Sequence, residues 1–262
     1  MVAAFFDKGW VVFPVEPAVE RWAKQALNSA KVAVQASENK HLHQCGGTWF
    51  VGLDALPNDA TGRVADSGPL RGAAVDFATQ NCGGWPALHR GQLSVIYPGY
   101  PRAREGEGDA GFRYRLNRDA AHVDGIIGLG TPKRRFVREP HAFVLGIPLT
   151  QAHPDAAPLV VWEGSHRIIQ TAMQKVFEGH GTDTLSDIDV TSIYQAARRE
   201  AFNSCRRVPV HGPPGSAYLV HRLALHGVAP WAPHVPADPG GRMVAYFRPE
   251  LAGGVAAWAA AR

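Results

Sequence analysis

Short apolar or alternating segments, each bounded by glycine, proline or aspartate, constrain the fold of this chain more than any other feature. They span residues 91–98, 112–116, 120–124, 141–149, 158–162, 216–220 and 242–248. Segments of this length and alternation are typical of strands with one or both faces buried. Because turn residues separate them at short intervals, they predict an all-β barrel or a double sheet.

Helical patterns flank these strands. Residues 16–36 carry apolar side chains at helical spacing, with Pro17 at a first-turn position that suits it, and a short strand over 10–15 precedes them. Further helices are predicted over 69–79, 167–178 and 187–202. The predicted fold class is therefore mostly β with flanking helices.

Composition narrows the class of protein. A chain of 262 residues, 45% of them hydrophobic, can bury a large core, and we predict one domain over 1–262. A net charge of +4 is too weak for a nucleic-acid binder. The three cysteines form no C-x-x-C pair, which indicates a reducing compartment. No apolar run reaches membrane-spanning length, so we expect a soluble, cytoplasmic protein without membrane contact.

His122 and Asp124 are the first candidate for chemistry. If residues 120–124 are extended, the two side chains project from the same face of the strand. Two histidines and one carboxylate on one face of an octahedron bind Fe(II) and leave positions open for other ligands. A second pair, His153 and Asp155, encloses Pro154 in a predicted turn, where the same argument fails. The triad therefore needs another histidine from elsewhere in the chain.

His226 is the candidate for that third ligand. It follows a turn at Gly215 and an apolar strand, and Arg242 opens the next strand. The motifs occur in this order: 8–14 (Lys-Gly-Trp-Val-Val-Phe-Pro), His122-x-Asp124, 162–167 (Trp-Glu-Gly-Ser-His-Arg), Gly215 to His226-Gly227, and Arg242. This ordered set spans nearly the whole chain and resembles the phytanoyl-CoA dioxygenase family.

The resemblance implies an Fe(II)- and 2-oxoglutarate-dependent oxygenase built on a double-stranded β-helix, a jelly roll of the cupin-like kind. His122, Asp124 and His226 would hold the iron, and Arg242 would bind the distal carboxylate of 2-oxoglutarate through its two-pronged guanidinium. Residues 164–166 would form a structural turn near the site.

Two residues compete with these assignments. Arg248 is the rival of Arg242, because residues 242, 244, 246 and 248 of a strand share one face. His221 is the rival of His226. The chain also departs from the family pattern: Val228 replaces a small polar residue, and residues 231–236 lengthen the connection before Arg242.

The reaction implied by the resemblance consumes O2 and 2-oxoglutarate, releases succinate and CO2, and hydroxylates an unactivated C–H bond of a small molecule. With Asp124 as a ligand, a halide has no vacant place on the metal, which favours hydroxylation over halogenation. Seven basic residues bracket the metal pair and would favour an anionic substrate, unless they form an ordinary solvated face. They are Arg113, Arg115, Arg118, Lys133, Arg134, Arg135 and Arg138.

Two other functions remain open at this point. A cupin-like enzyme could use the metal without 2-oxoglutarate, and a non-catalytic binding protein could use the same scaffold with His122 and Asp124 as satisfied polar residues. The glycine-rich aromatic loop within residues 41–63 is a candidate for a pocket wall or a lid, with a packed surface loop as the alternative. Oligomeric state and substrate are not determined by the sequence.

Overall fold

The structure, a computed structural model, describes residues 1–260, so the last two positions of the predicted domain lie outside it. The strands are β1 (Trp10–Phe13), β2 (His43–Gln44), β3 (Trp49–Gly52), β4 (Gln92–Ile96), β5 (Ile126–Leu129), β6 (Arg134–Val137), β7 (Phe143–Pro148), β8 (Leu159–Trp162), β9 (Arg207–Val210), β10 (Ala217–His221), β11 (His226–Val228) and β12 (Arg242–Phe247). The helices are α1 (Val2–Lys8), α2 (Pro17–Gln35), α3 (Ala73–Asn81), α4 (Asp109–Arg118), α5 (Ser165–Phe177), α6 (Thr191–Ser204) and α7 (Gly254–Ala259).

The strands form two facing sheets and a hairpin. The large sheet has the order β1-β10-β7-β12-β4-β3-β2, the small sheet has the order β11-β8-β9, and β5 pairs with β6. All of these pairings are antiparallel. Val144 and Val244 of the large sheet share one buried cluster with Leu159 and Val161 of the small sheet, which places the two sheets face to face. The fold is thus mostly antiparallel sheet with flanking helices, as the sequence predicts.

Helices cover the outer faces of both sheets. Val19, Trp22, Ala23, Ala26 and Ala30 form the buried stripe of α2 and join the core of the large sheet. On the other side, α5 and α6 pack beside the small sheet in a second apolar cluster. The helix predicted over 16–36 is confirmed within a residue at each end, because Pro17 occupies its first position.

The strand predicted over 112–116 is wrong, because these residues lie inside α4. Phe112 and Leu116 are also four residues apart, which is helical spacing. Asp109 in the first turn and Arg115 and Arg118 in the last turn complement the helix dipole. Arg115, the buried residue of this helix, pairs with Glu107 at 2.6 Å.

Other differences concern short elements. Only His122 of the predicted strand 120–124 makes a strand-like pair, since Ala120 has a φ of +51° and Asp124 lies in a turn. The structure adds α1, β2, β3, the β5–β6 hairpin, β9 and α7, which the sequence analysis did not predict. Within residues 1–260, no helix combines the length and apolarity needed to cross a bilayer.

Candidate metal centre

His122 and His226 lie directly opposite each other. The backbone N–H of His122 donates to the carbonyl of His226 at 2.8 Å, and the reverse bond measures 3.0 Å. His226 opens β11 at the edge of the small sheet, whereas His122 lies in the connection after α4. This single antiparallel pair places the two imidazoles side by side, with ring centroids 5.0 Å apart.

Asp124 completes the group. One carboxylate oxygen lies 3.0 Å from Nε2 of His122, and the other lies 3.5 Å from Nε2 of His226. Ligand atoms of all three side chains lie within 4.8 Å of one another. The structure therefore brings together the three residues that the sequence analysis proposed as metal ligands.

The outer nitrogen of each imidazole fixes the orientation of its ring. Nδ1 of His122 is 3.0 Å from the carbonyl oxygen of Ala120, and Nδ1 of His226 is 2.9 Å from that of Ala224. A carbonyl oxygen only accepts, so each Nδ1 carries the donated proton. In the neutral rings both Nε2 lone pairs then face the carboxylate of Asp124. Such backbone bonds to the outer nitrogen are typical of metal-ligating histidines.

Two glycines allow the backbone to approach closely at the triad. Gly227 follows His226, and a Cβ at this position would lie 2.2 Å from the carbonyl oxygen of Asp119. Gly125 follows Asp124 with a φ of +82°, and its Cβ would lie 1.9 Å from the carbonyl oxygen of Glu139. Larger residues at either position would displace a segment that carries a candidate ligand.

Asp124 is ionised in this environment. Burial opposes its charge, but when the two imidazoles are protonated, the charge of His226 and the Nε2–H donors of both rings hold the pKa of Asp124 well below its usual range. The His122 side chain is 51% exposed, so desolvation opposes its charge only weakly, and the hydrogen bond and charge of Asp124 raise its pKa. The carboxylate is only 10% exposed and needs positive charge beside it.

A cavity of about 210 Å³ opens beside the triad. Trp49 and Val51 of β3, Val144 of β7 and Leu159 of β8 form its apolar wall. The indole N–H of Trp49 donates to Oγ of Ser94 at 2.9 Å, which fixes the ring. Part of the loop predicted within 41–63 therefore lines the pocket, as the strand β3.

The two candidate arginines, one at the start of β12 and one directly after its end, lie in different places. Arg248 lines the triad's cavity, where Nη1 is 3.5 Å from Asp124 and Nη2 donates to Gln92 at 2.6 Å. Arg242 lines a second, smaller cavity. It is 7% exposed, and its Nη1 has no hydrogen-bond partner among the described residues.

The seven basic residues around the metal pair do not line the cavity. Arg134 and Arg138 form ion pairs with Asp189 and Asp187, respectively. Arg118 and Arg135 instead lie over the rings of Phe202 and Tyr194. These basic residues thus lie outside the wall of the triad's cavity, and the anionic substrate stays a prediction, with an ordinary solvated face as the alternative.

Neither His221 nor the 164–166 motif contributes to the triad. The His221 ring lies 4.8 Å from that of His166 and 5.9 Å from that of Phe5, in a buried cluster under α1. Burial lowers the pKa of both histidines, that of His221 well below its usual range. Gly164, with a φ of +82°, precedes α5.

Sequence reasoning missed the polar residues Gln92, Ser94 and Tyr246 of the cavity wall. Gln92 and Ser94 alternate with Leu93 and Val95 in β4, and this alternation was the available signal for an inward-facing polar pair. Tyr246 shares one face of β12 with Arg242, and Arg248 follows directly after the end of this strand.

Comparison with known proteins adds information on the fold. The sequence matches no protein-family model. No curated protein matches it either. The structure is similar to that of SnoK, a non-heme alpha-ketoglutarate-dependent carbocyclase from nogalamycin biosynthesis, with a TM-score of 0.51 and 16% identity over 98% of this chain and 88% of that one.

Two further structures are similar at the same level. EctD from S. alaskensis, solved with 2-oxoglutarate and 5-hydroxyectoine, has a TM-score of 0.50 and 17% identity over 97% of this chain and 76% of that one. SnoN, a non-heme alpha-ketoglutarate-dependent epimerase from nogalamycin biosynthesis, has a TM-score of 0.51 and 14% identity over 98% and 86% of the two chains. At these identities the likeness establishes the fold.

Proposed function

We propose that this protein is an Fe(II)- and 2-oxoglutarate-dependent oxygenase with a double-stranded β-helix core, related to the phytanoyl-CoA dioxygenases. The observation that carries the proposal is the donor set of His122, Asp124 and His226. In the neutral rings, two Nε2 lone pairs and a carboxylate converge with no proton between them, an arrangement that a cation stabilises. When bound there, Fe(II) with 2-oxoglutarate supplies O2-dependent oxidation of a substrate C–H bond, releasing succinate and CO2.

The chain's own residues would prepare this centre. Backbone carbonyls orient both imidazoles, and Arg248 holds one oxygen of Asp124 from outside the donor set. Gln92 in turn accepts a hydrogen bond from Arg248. The carboxylate therefore keeps its charge and its position without a proton.

We assign the distal carboxylate of 2-oxoglutarate to Arg242. A buried guanidinium is costly unless an anion accompanies it, and Arg242 has no acidic partner among the described residues. The hydroxyls of Tyr246 and Tyr218 are its neighbours, and Tyr246 also lines the triad's cavity. Arg248 is the weaker candidate, because Gln92 and Asp124 already engage its guanidinium.

The substrate we propose is a small, mainly apolar molecule that carries one acceptor or anionic group. Trp49, Val51 and Leu159 offer it apolar surface, whereas Arg248 is the one arginine or lysine among the residues that line the cavity. Hydroxylation is the outcome we propose. The carbocyclase and epimerase described among the similar structures indicate that this fold also supports other outcomes.

A metal enzyme that does not use 2-oxoglutarate is the second candidate. The position of Arg242 favours it, because this arginine lines the smaller cavity and not the cavity of the triad. In that case Arg242 would have a structural role with Tyr218 and Tyr246, and the substrate itself would occupy the open positions of the metal.

An anaerobic titration separates the two candidates. Fe(II) and then 2-oxoglutarate are added to metal-free protein, and the weak visible charge-transfer band of a chelated Fe(II)–oxoacid complex is recorded. We expect His122→Ala to abolish the band and Arg242→Gln to raise the 2-oxoglutarate concentration needed for it at least tenfold. The matched control His180→Ala, which removes an exposed histidine that lines neither cavity, should leave it unchanged.

The result decides between three functions. Iron binding without a band would support the enzyme that does not use 2-oxoglutarate. A failure of the protein to bind stoichiometric Fe(II) would contradict both enzymes and favour a non-catalytic binding protein.

A further inference from the structure

Two sequence features that the oxygenase does not use meet in the structure. One is the pair His153 and Asp155 around Pro154, and the other is the additional segment 231–236. Ala156 and Trp231 form an antiparallel bridge, and the backbone N–H of Ala232 donates to the carbonyl of Asp155 at 3.1 Å. These bonds hold the two segments together.

The pairing brings His234 to the earlier pair. Nε2 of His234 lies 3.1 Å from a carboxylate oxygen of Asp155, and Nδ1 of His153 lies 3.9 Å from the same oxygen. The three ligand atoms lie within 4.8 Å of one another. In a tetrahedral zinc site with bonds of about 2.0 Å, ligand atoms are about 3.3 Å apart, so small side-chain rotations suffice to close the cluster on an ion.

We propose that His153, Asp155 and His234 form a second metal site that binds a borderline divalent cation, Zn²⁺ being the natural example. Two imidazoles and one carboxylate are the ligand types such an ion prefers, and solvent completes its coordination. The side chains are about half exposed and none of them lines the triad's cavity, so the site is separate from the proposed iron centre. Asp238, in the wall of an adjoining surface depression that includes His153, adds negative charge.

The second site is less preorganised than the first. Nδ1 of His153 accepts a hydrogen bond from the backbone N–H of Asp155 at 3.1 Å, and a metal at that ring replaces this bond. In the triad, by contrast, the backbone bonds leave both Nε2 atoms free. From the net worth of one hydrogen bond, we expect the affinity of the second site to be about tenfold lower for the same ion.

An ion at this site would act on the neighbouring smaller cavity. Thr150, Ala152 and His153 line that cavity together with Arg242. A metal bound by both His153 and His234 would link this wall of the cavity to the segment 231–236, which precedes β12. The second site therefore stabilises the surroundings of Arg242, whatever ligand that arginine binds.

Calorimetric titration of the metal-free protein with Zn²⁺ tests the proposal. We expect two equivalents to bind the unaltered chain, and one to bind both His234→Ala and the double variant His122→Ala/Asp124→Ala. Combining the three substitutions should abolish binding. His180→Ala, which removes an exposed histidine elsewhere, is the matched control and should bind two equivalents.

A geometric readout completes the test. Co²⁺ in the double variant should give the intense visible bands of a tetrahedral site, and His234→Ala should remove them. Unchanged stoichiometry in His234→Ala, or a dissociation constant for the second equivalent weaker than about 1 mM, would overturn the proposal and indicate adventitious contact. Neither outcome depends on the first site, because the double variant His122→Ala/Asp124→Ala measures the loss of that site separately.

Discussion

Gly227 controls the distance between the two histidines of the proposed iron centre. An alanine Cβ at this position would lie 2.2 Å from the carbonyl oxygen of Asp119 and 3.1 Å from Cα of Ala121. Ordinary contact requires at least 3.4 Å. Because both neighbours are backbone, residues 119–121 must move by about 1 Å to relieve the overlap in so closely packed an interior.

The magnitude follows from two terms. Overpacking costs about 1–3 kcal/mol, and the bond from the Val228 N–H to the Asp119 carbonyl, 3.0 Å long, contributes about 1 kcal/mol. We therefore expect Gly227→Ala to lower the free energy of unfolding by about 2–4 kcal/mol. Because His122 directly follows residues 119–121, a shift of this segment moves its imidazole. We therefore also expect Fe(II) affinity to fall about 10- to 100-fold, as it does when groups that orient metal ligands are disturbed.

Urea unfolding followed by circular dichroism and anaerobic Fe(II) titration measure the two effects. Gly108→Ala is the matched control, because Gly108 has a φ of −73° and a Cβ there meets no atom within 4 Å. Its stability should change by less than about 0.5 kcal/mol. If Gly227→Ala bound iron as tightly as the unaltered chain, the view that backbone approach sets the ligand spacing would be refuted.

The surrounding residues support further tests. Arg134→Gln should leave the KM for the substrate unchanged in steady-state assays, because Arg134 pairs with Asp189 and lies outside the cavity wall. A raised KM would instead support an anionic substrate that the basic residues attract. Trp49→Ala should raise the KM for the substrate about tenfold, because it removes apolar surface from the cavity wall. As the control, its Fe(II) titration should match that of the unaltered chain. Burial lowers the folded-state pKa of His221 and His166, so the unfolded chain takes up protons first as pH falls through about 6.5. Stability should therefore be complete above that pH and decline below it in urea titrations, with a shallower decline in His221→Asn; a pH-independent midpoint would contradict this.

The main strands could be predicted from the sequence, because a strand that is buried on both faces consists almost entirely of apolar residues. β7, β8, β10 and β12 are strongly apolar, and each coincides with a predicted segment. His122 and Asp124 could be paired from their spacing, and His226 could be added only through the resemblance to a family. Their convergence depends on backbone pairing between segments that no local pattern links.

The failures have equally local causes. Residues 112–116 satisfy both strand and helix periodicity, and the acidic first turn and basic last turn of α4 favour the helix. β3 lies in a glycine-rich segment, where composition concealed a strand that is ordered by its neighbour β4. The alternation of a strand identifies Arg242 and Arg248 as rivals, because residues six positions apart lie on the same face. It does not show that they line different cavities, which follows from their separation along the chain.

The antiparallel pair between His122 and His226 has a consequence for folding and handling of the protein. Its members come from distant parts of the chain, so the proposed iron centre cannot assemble in a fragment or partly folded state that lacks either segment. A slip of one residue in this pairing would present Ala121 or Val123 to the centre in place of an imidazole. Occupancy of the proposed iron centre would thus report the correct register. By mass action, free metal at about 100 times its dissociation constant would add about 2.7 kcal/mol to the stability of the correctly paired chain alone.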